Sequence, residues 1–101
     1  MNRYTVDLDE AAHQQLDDIA AYIAERDGPA SALQYTDRIH DACRELGLFP
    51  RRSKQRPDLA PGLYVTGFER RITITYTIDE AESIVWITGI YYGGQDWEAR
   101  H

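Results

Sequence analysis

The segment 72–78, with the sequence ITITYTI, constrains the fold more than any other part of the chain. Isoleucine or tyrosine alternates with threonine in it, and a period of two is typical of a strand with one buried face. The segments 63–68 and 84–91, on either side of it, also have strand patterns. A bend near Glu69 and a polar turn, 79–83, separate the three segments. Connections this short predict a three-stranded antiparallel meander.

The last of these strands is apolar on both sides. Its alternation predicts two faces, with Val85, Ile87 and Tyr91 on one and Ile84, Trp86 and Ile90 on the other. A meander covered by helices on one side needs only one apolar face. The second face is therefore either covered, because the strand is central or the tail folds over it, or it is a surface for another protein. Coverage within the chain accounts for much of the pattern, and both explanations stay open.

A strand and a first helix come before the meander. Residues 3–8 alternate as a strand does, and Asp9 is a suitable N-cap for the helix that follows. The apolar stripe of this helix recurs at helical spacing and consists of Ala12, Leu16, Ile19 and Ile23. This stripe is expected to face the core.

A second helix follows a break at Asp27 and Gly28. Pro29 suits its first position, and Gly47 is a plausible C-cap. Its apolar face consists of Ala32, Tyr35, Ile39, Ala42, Cys43 and Leu46. A joint of about two to four residues makes the two helices an antiparallel hairpin. Neither helix is long enough to be stable alone, so both must pack on the sheet.

The charge is distributed unevenly along the chain. Residues 1–48 carry ten acids and four bases, which account for the whole net charge of −6, and residues 49–101 carry seven of each. A basic stretch, 51–56, interrupts this pattern. Sequence-independent nucleic-acid binding relies on many lysine and arginine contacts to phosphate, which an acidic chain with a single lysine is poorly suited to make. The basic stretch is better explained as a solvated connector, and no direct nucleic-acid binding is expected.

Several other classes of protein are disfavoured. Cys43 is the only cysteine, so no disulfide is possible, and its place on an apolar helix face indicates a small buried side chain. His13, His40 and His101 lack metal-ligand spacing, and we expect neither a metal nor a cofactor. No apolar run is long enough for a membrane span, and no signal-peptide pattern is present, so a cytoplasmic location is expected.

Four consecutive stretches then carry a resemblance to known proteins: LGLFP, RRSKQRPDLAPGL, YVTGFERRITITYTIDEAESIVWITGI and YYGGQDW. With the preceding strand and two helices, they resemble the RelE/ParE superfamily of bacterial toxins, most closely its ParE-like plasmid-stabilisation branch. The resemblance implies one toxin domain over residues 1–101. The fold class it implies is α+β: an N-terminal strand, an antiparallel helical hairpin and a three-stranded antiparallel meander, with the helices on one face of the sheet.

The resemblance also implies a function. It predicts the toxin of a type II toxin–antitoxin pair, held inactive by a cognate antitoxin of the ParD-like, ribbon-helix-helix type. ParE-like toxins act on DNA gyrase by binding, whereas RelE toxins cut messenger RNA on the ribosome. The residues expected to bind partners have the aromatic and arginine character of protein interfaces. They are Trp86, Tyr91, Tyr92, Gln95, Trp97, Arg70 and Arg71.

The nuclease branch remains an alternative. Relatives often have Gly-Leu-Arg where this chain has 62–64 (GLY), and His-Gly-x-Arg-Asp where it has 92–96 (YGGQD). Two usual cations and a histidine are thus replaced, so we predict no catalytic residue and a toxin that works by binding. A messenger RNA endonuclease would have to use the remaining groups, which are Arg56, Arg70, Arg71 and Tyr92. A third possibility is an inactive relative that serves only as an antitoxin partner.

Overall fold

The computed structural model describes residues 3–93 and 97–100, and the predicted partner-binding residue Gln95 lies outside these ranges. The elements in chain order are β1 (Thr5–Leu8), α1 (Glu10–Asp27), α2 (Pro29–Glu45), β2 (Lys54–Gln55), β3 (Tyr64–Phe68), β4 (Ile72–Asp79), β5 (Ile84–Tyr92) and a 3-10 helix (Glu98–Arg100). The α+β class, the first strand, the two helices and the meander β3–β5 are as predicted.

The sheet is larger and more mixed than the sequence indicated. Within the described residues it has five strands in the order β1-β5-β4-β3-β2. β1 pairs with β5 in parallel, with Val6 opposite Val85. β2 forms inside the basic connector and pairs with the start of β3, with Lys54 opposite Val65. The predicted arrangement was therefore wrong in detail. The two helices form the long connection that lets β1 pair in parallel with β5 at one edge of the sheet, and the basic connector forms the strand at the other edge.

Both helices pack on the sheet through the predicted stripes. Asp9 caps α1 by accepting a hydrogen bond from the backbone N–H of Ala12. The residues buried from α1 are Ala12, Leu16, Ile19 and Ile23, which is the predicted set. From α2 the buried residues are Ala32, Ile39 and Cys43, while Tyr35 and Leu46 are half-buried against the same core. Only Gly28 separates the helices, so the joint is shorter than expected.

A bulge in β5 overturns the predicted facing of that strand. Tyr76 lies opposite Ile87 but Thr75 lies opposite Gly89, so Thr88 is an extra residue. One extra residue moves every later side chain to the other face. Ile90 therefore belongs to the core cluster with Val85 and Ile87, and Tyr92 packs against it, whereas Tyr91 is buried on the opposite face.

Gly47 has a different role from the predicted C-cap. The C-cap of α2 is Leu46, and Gly47 is buried beside β1. A Cβ built on Gly47 would lie 2.4 Å from the backbone oxygen of Tyr4, and its own carbonyl accepts a hydrogen bond from the Tyr4 N–H at 2.9 Å. Glycine is needed there because two backbones approach closely, which joins the end of α2 to the edge of the sheet.

Candidate functional site

A polar cleft lies where the helical hairpin meets the β3–β4 bend and the end of β5. Its volume is about 390 Å³, and the lining includes Ser31, Gln34, Tyr35, Glu69, Arg71 and Tyr92. We call it the Arg71 cleft. It joins parts of the chain that are far apart in sequence, because α2 crosses the sheet above the β3–β4 bend. Two of the predicted partner-binding residues, Arg71 and Tyr92, meet in it.

Tyr35 and Tyr92 line the Arg71 cleft, and Tyr22 packs against the Tyr92 ring beside it. The Tyr92 ring is 5.6 Å from the Tyr22 ring in a tilted arrangement and 6.2 Å from the Tyr35 ring in an edge-to-face arrangement. Such separations are favourable for aromatic pairs. Tyr22 is 46% exposed, and the Arg26 guanidinium lies 5.3 Å from the centre of its ring. An aromatic surface with an arginine at its edge is typical of protein interfaces.

The β3–β4 bend has unusual backbone geometry. Glu69 and Arg70 have φ values of 50° and 64°, a left-handed conformation that costs a non-glycine residue roughly 1–2 kcal/mol. Arg38 holds the first of them by donating from Nε and Nη2 to the two carboxylate oxygens of Glu69, at 3.0 and 3.1 Å. This fork fixes the bend against α2, and the Glu69 carboxylate raises the pKa of Arg38.

Within the described ranges, Arg71 is the cation of the cleft that has no acidic partner. Its Nη1 donates a long hydrogen bond of 3.4 Å to the Tyr92 hydroxyl, and its backbone carbonyl accepts from Gly93 N–H at 2.7 Å. Over residues 3–93 and 97–100, the arginines in ion pairs are Arg38, Arg44, Arg51 and Arg56, and Arg71 is not among them. An exposed guanidinium in this setting is available to an external acceptor.

The Tyr35 hydroxyl adds a second unused polar group. It is buried and finds no hydrogen-bond partner within the described part of the chain. Burial is the main cause that raises the pKa of Tyr35, with Tyr92 and Glu69 adding to the effect and the two nearby arginines opposing it. A buried hydroxyl without a partner costs roughly 1–3 kcal/mol, so this group would gain from an acceptor supplied by another molecule.

The other predicted partner-binding residues lie elsewhere. Trp86 is half-buried in the middle of β5, opposite Thr77 of β4 and Asp7 of β1. Tyr91 is only 4% exposed, and its ring packs over Gly89, where an added Cβ would lie 2.5 Å from a ring carbon. Arg71 and Tyr92 of the predicted set therefore lie in the cleft, whereas Trp86 and Tyr91 lie on the opposite face of the sheet.

Of the predicted nuclease residues, Arg56 lies apart from Arg71 and Tyr92. The backbone N–H of Arg56 donates to Leu63 just before β3 begins, whereas Arg71 follows the end of β3. A five-residue strand separates the two positions by about 16 Å. Arg56 also pairs with Asp58 at 2.8 Å and Glu98 at 2.9 Å. Arg56 thereby holds the 3-10 helix near the connector. Its guanidinium lies 5.6 Å from the centre of the ring of Trp97, which is another predicted partner-binding residue.

Sequence reasoning missed Tyr35, Arg38 and Glu69 as members of the site. Tyr35 was assigned to an apolar stripe, and its hydroxyl was the available signal that the stripe ends at a polar cleft. The contact between Arg38 and Glu69 joins residues 31 positions apart, which no local pattern reveals. In the described part of the chain, no three His, Cys, Asp or Glu side chains form a group that could hold a metal ion.

Comparison with known proteins assigns the family. A sequence model described as the ParE toxin of the type II toxin–antitoxin system parDE matches residues 6–97. The chain belongs to the ParE toxin family. Among curated proteins, none has a sequence that matches this chain closely. The ParE match covers both helices, all five strands of the described sheet apart from the first residue of β1, and the residues of the Arg71 cleft.

Solved structures agree on the fold. The chromosomal ParDE toxin–antitoxin system from P. aeruginosa has a chain that superposes with a TM-score of 0.76 at 20% identity, covering 90% of this chain and 97% of that one. A chain of the toxin–antitoxin complex RelBE2 from Mycobacterium tuberculosis gives 0.67 at 20% identity, covering 89% and 98%. A mutant of the E. coli toxin RelE in the free state also gives 0.67, at 13% identity, covering 97% and 92%. The α+β fold is therefore shared by ParE and RelE toxins.

No helix within residues 3–93 and 97–100 is both long and apolar enough to cross a membrane.

Proposed function

We propose that this ParE-type toxin acts by binding DNA gyrase and that a cognate antitoxin of the ParD-like, ribbon-helix-helix type holds it inactive in the cytoplasm. The observation that carries the proposal is the composition of the Arg71 cleft. It offers tyrosine rings and a guanidinium without an acidic partner among the described residues, which are the groups enriched in protein interfaces. We expect Tyr92, Arg70 and Arg71 to contact the target.

Charge supports a protein target over a nucleic acid. The net charge is −6, and acids such as Asp17 and Asp37 are exposed on the two helices. A polyanion would be repelled by this surface, whereas an antitoxin segment that carries arginine or lysine would be attracted to it. Charges at the rim of an interface mainly accelerate association, while buried apolar groups hold the complex. Neutralising these acids should therefore slow antitoxin binding and reduce its salt dependence.

A second candidate function is a ribosome-dependent messenger RNA endonuclease. It is favoured by the contact between Arg71 and the Tyr92 hydroxyl at 3.4 Å and by the fold shared with RelE. Against it stands the separation of Arg56 from this pair, since cleavage needs a base, an acid and a cation around one phosphate. An inactive relative that only binds an antitoxin would have the same fold without either activity.

Inducing the protein alone in cells distinguishes the three. The proposal predicts growth arrest with DNA-damage signalling, suppressed when the antitoxin is produced as well. Tyr92→Ala and Arg70→Ala should each relieve the arrest, because interface hot spots are often aromatic or arginine residues. Arg44→Ala is the matched control, since Arg44 is an exposed arginine paired with Asp41 and lies beside β1 rather than in the cleft. Arrest with messenger cleavage would favour the nuclease, and no arrest would favour the inactive relative.

A further inference from the structure

The Arg71 cleft contains two kinds of unused hydrogen-bonding capacity. Arg71 has a guanidinium with no carboxylate partner among the described residues, and the buried Tyr35 hydroxyl has no partner there at all. Ser31 and Gln34 add a hydroxyl and an amide to the same lining. These groups can all donate hydrogen bonds, and Arg71 is the charged one. The cleft is thus equipped for a small oxyanion.

Two of the other charges of the cleft, those of Arg38 and Glu69, compensate each other. Glu69 is held in a fork by Arg38, at 3.0 and 3.1 Å. Asp27 also lines the cleft and follows Arg26 in sequence; the pKa of Arg26 is raised mainly by its hydrogen bond to Tyr22 and less by Asp27. Among the described residues, no carboxylate forms an ion pair with the positive charge of Arg71. A singly charged ligand would neutralise it, whereas a doubly charged phosphate would leave a negative charge near Glu69 and Asp27.

A carboxylate fits this arrangement better than a nucleic-acid phosphodiester. A phosphodiester is also singly charged, but it arrives with neighbouring phosphates along the strand. Those phosphates would meet Asp27, Glu69 and the acidic helices, on a chain with a net charge of −6. A carboxylate on a protein side chain brings one charge and has the planar shape that a guanidinium binds with two parallel hydrogen bonds.

We propose that the Arg71 cleft receives an aspartate or glutamate side chain of the antitoxin, held by Arg71 and the Tyr35 hydroxyl. This inference rests on the proposed function, and it explains neutralisation, because the bound carboxylate would cover the residues assigned to the target. In the free toxin Arg71 donates a hydrogen bond to the Tyr92 hydroxyl, and we expect the incoming carboxylate to take the place of that hydroxyl. The 3.4 Å hydrogen bond between them is long, and a charge-assisted bond to Arg71 would replace it.

The direct test titrates the isotope-labelled full chain with small probes and follows the NMR signals of the Arg71 guanidinium and of Tyr35. N-acetyl-glutamate amide supplies the carboxylate, N-acetyl-glutamine amide is the neutral match, and dimethyl phosphate is the phosphodiester probe. We expect saturable shifts with the first probe only. Equal or larger shifts with dimethyl phosphate would overturn the assignment in favour of a nucleic-acid ligand, and no shift with any probe would refute an anion site.

Variants make the test independent of folding defects. Tyr35→Phe removes a hydroxyl that has no partner among the described residues, so the thermal stability should be unchanged or slightly higher, while probe binding should weaken about threefold to tenfold. Arg71→Gln should weaken it about tenfold to a hundredfold. Arg44→Gln, on the exposed pair with Asp41, should change neither property. A loss of stability in Tyr35→Phe without any loss of binding would contradict the proposal.

Antitoxin binding separates this inference from the proposed function. Arg71→Gln and Tyr35→Phe should both weaken the antitoxin complex, and adding the antitoxin should abolish the response to N-acetyl-glutamate amide. If the antitoxin binds both variants as tightly as the unaltered toxin, the carboxylate inference fails and the proposed function stands. If the probe binds as expected but the chain neither arrests growth nor binds an antitoxin, the proposed function fails while the anion site remains.

Discussion

Replacing Arg70 with glycine should stabilise the protein while removing a residue proposed to contact the target. Arg70 has a φ of 64°, and its side chain makes no hydrogen bond or ion pair among the described residues. Relief of the left-handed conformation is worth roughly 1–2 kcal/mol, and the greater flexibility of glycine in the unfolded chain subtracts about 0.5–1 kcal/mol. The net gain of about 1 kcal/mol should raise Tm by about 4–8 °C in a domain of this size.

Two control variants isolate the backbone effect in thermal unfolding monitored by circular dichroism. Arg70→Ala removes the same charge but keeps a Cβ in the left-handed region, so its Tm should stay near that of the unaltered protein. Arg71→Gly places glycine one residue later, at a position without positive φ, and should lower Tm. Equal Tm values for Arg70→Gly and Arg70→Ala would refute the reasoning, because strain would then contribute nothing at this bend.

Three further predictions follow from burial. Trp86→Ala should destabilise the free toxin by less than the roughly 3–5 kcal/mol typical of a fully buried tryptophan, since Trp86 is half-buried outside the main core cluster; a collapsed thermal melt would contradict this. Burial raises the pKa of Cys43 to about 12, so the native thiol should react with iodoacetamide at pH 8 about 10³-fold more slowly than in urea, as measured by mass spectrometry. Burial also raises the pKa of Tyr35 and Tyr76, which favours their protonated forms in the folded state; the urea midpoint should therefore fall as the pH rises above about 10.

Periodicity predicted the parts of the fold in which one face of an element packs on the core. In α1, the buried stripe from Ala12 to Ile23 was readable because each member is apolar and spaced by about one helical turn. In β5, the same reasoning failed after Thr88, because one inserted residue reverses the facing without changing the composition. The local geometry there involves a distant residue, since the backbone N–H of Ile90 donates to Gln15 at 2.8 Å. No local pattern carries that information.

The candidate site was predicted only in part, because some of its contacts join residues that are far apart in the sequence. Arg71 and Tyr92 were recognised because they belong to the strands and tail that resemble toxin sequences. Arg38 and Glu69 were not, because their contact depends on α2 crossing above the β3–β4 bend. The left-handed bend also had no sequence signal, since neither Glu69 nor Arg70 is a glycine. Contacts between elements that are distant in sequence define the cleft, and a single sequence does not encode them in any readable pattern.

A paired assay with the purified chain distinguishes binding to gyrase, the action we propose for this ParE-family chain, from messenger cleavage. One arm measures supercoiling of relaxed plasmid by gyrase, and the other measures cleavage of a messenger on ribosomes. We expect the chain to inhibit supercoiling and to leave the messenger intact. Tyr92→Ala should weaken the inhibition, and Arg44→Ala should leave it unchanged. Messenger cleavage that disappears in Arg71→Ala, with supercoiling unaffected, would contradict the proposed action.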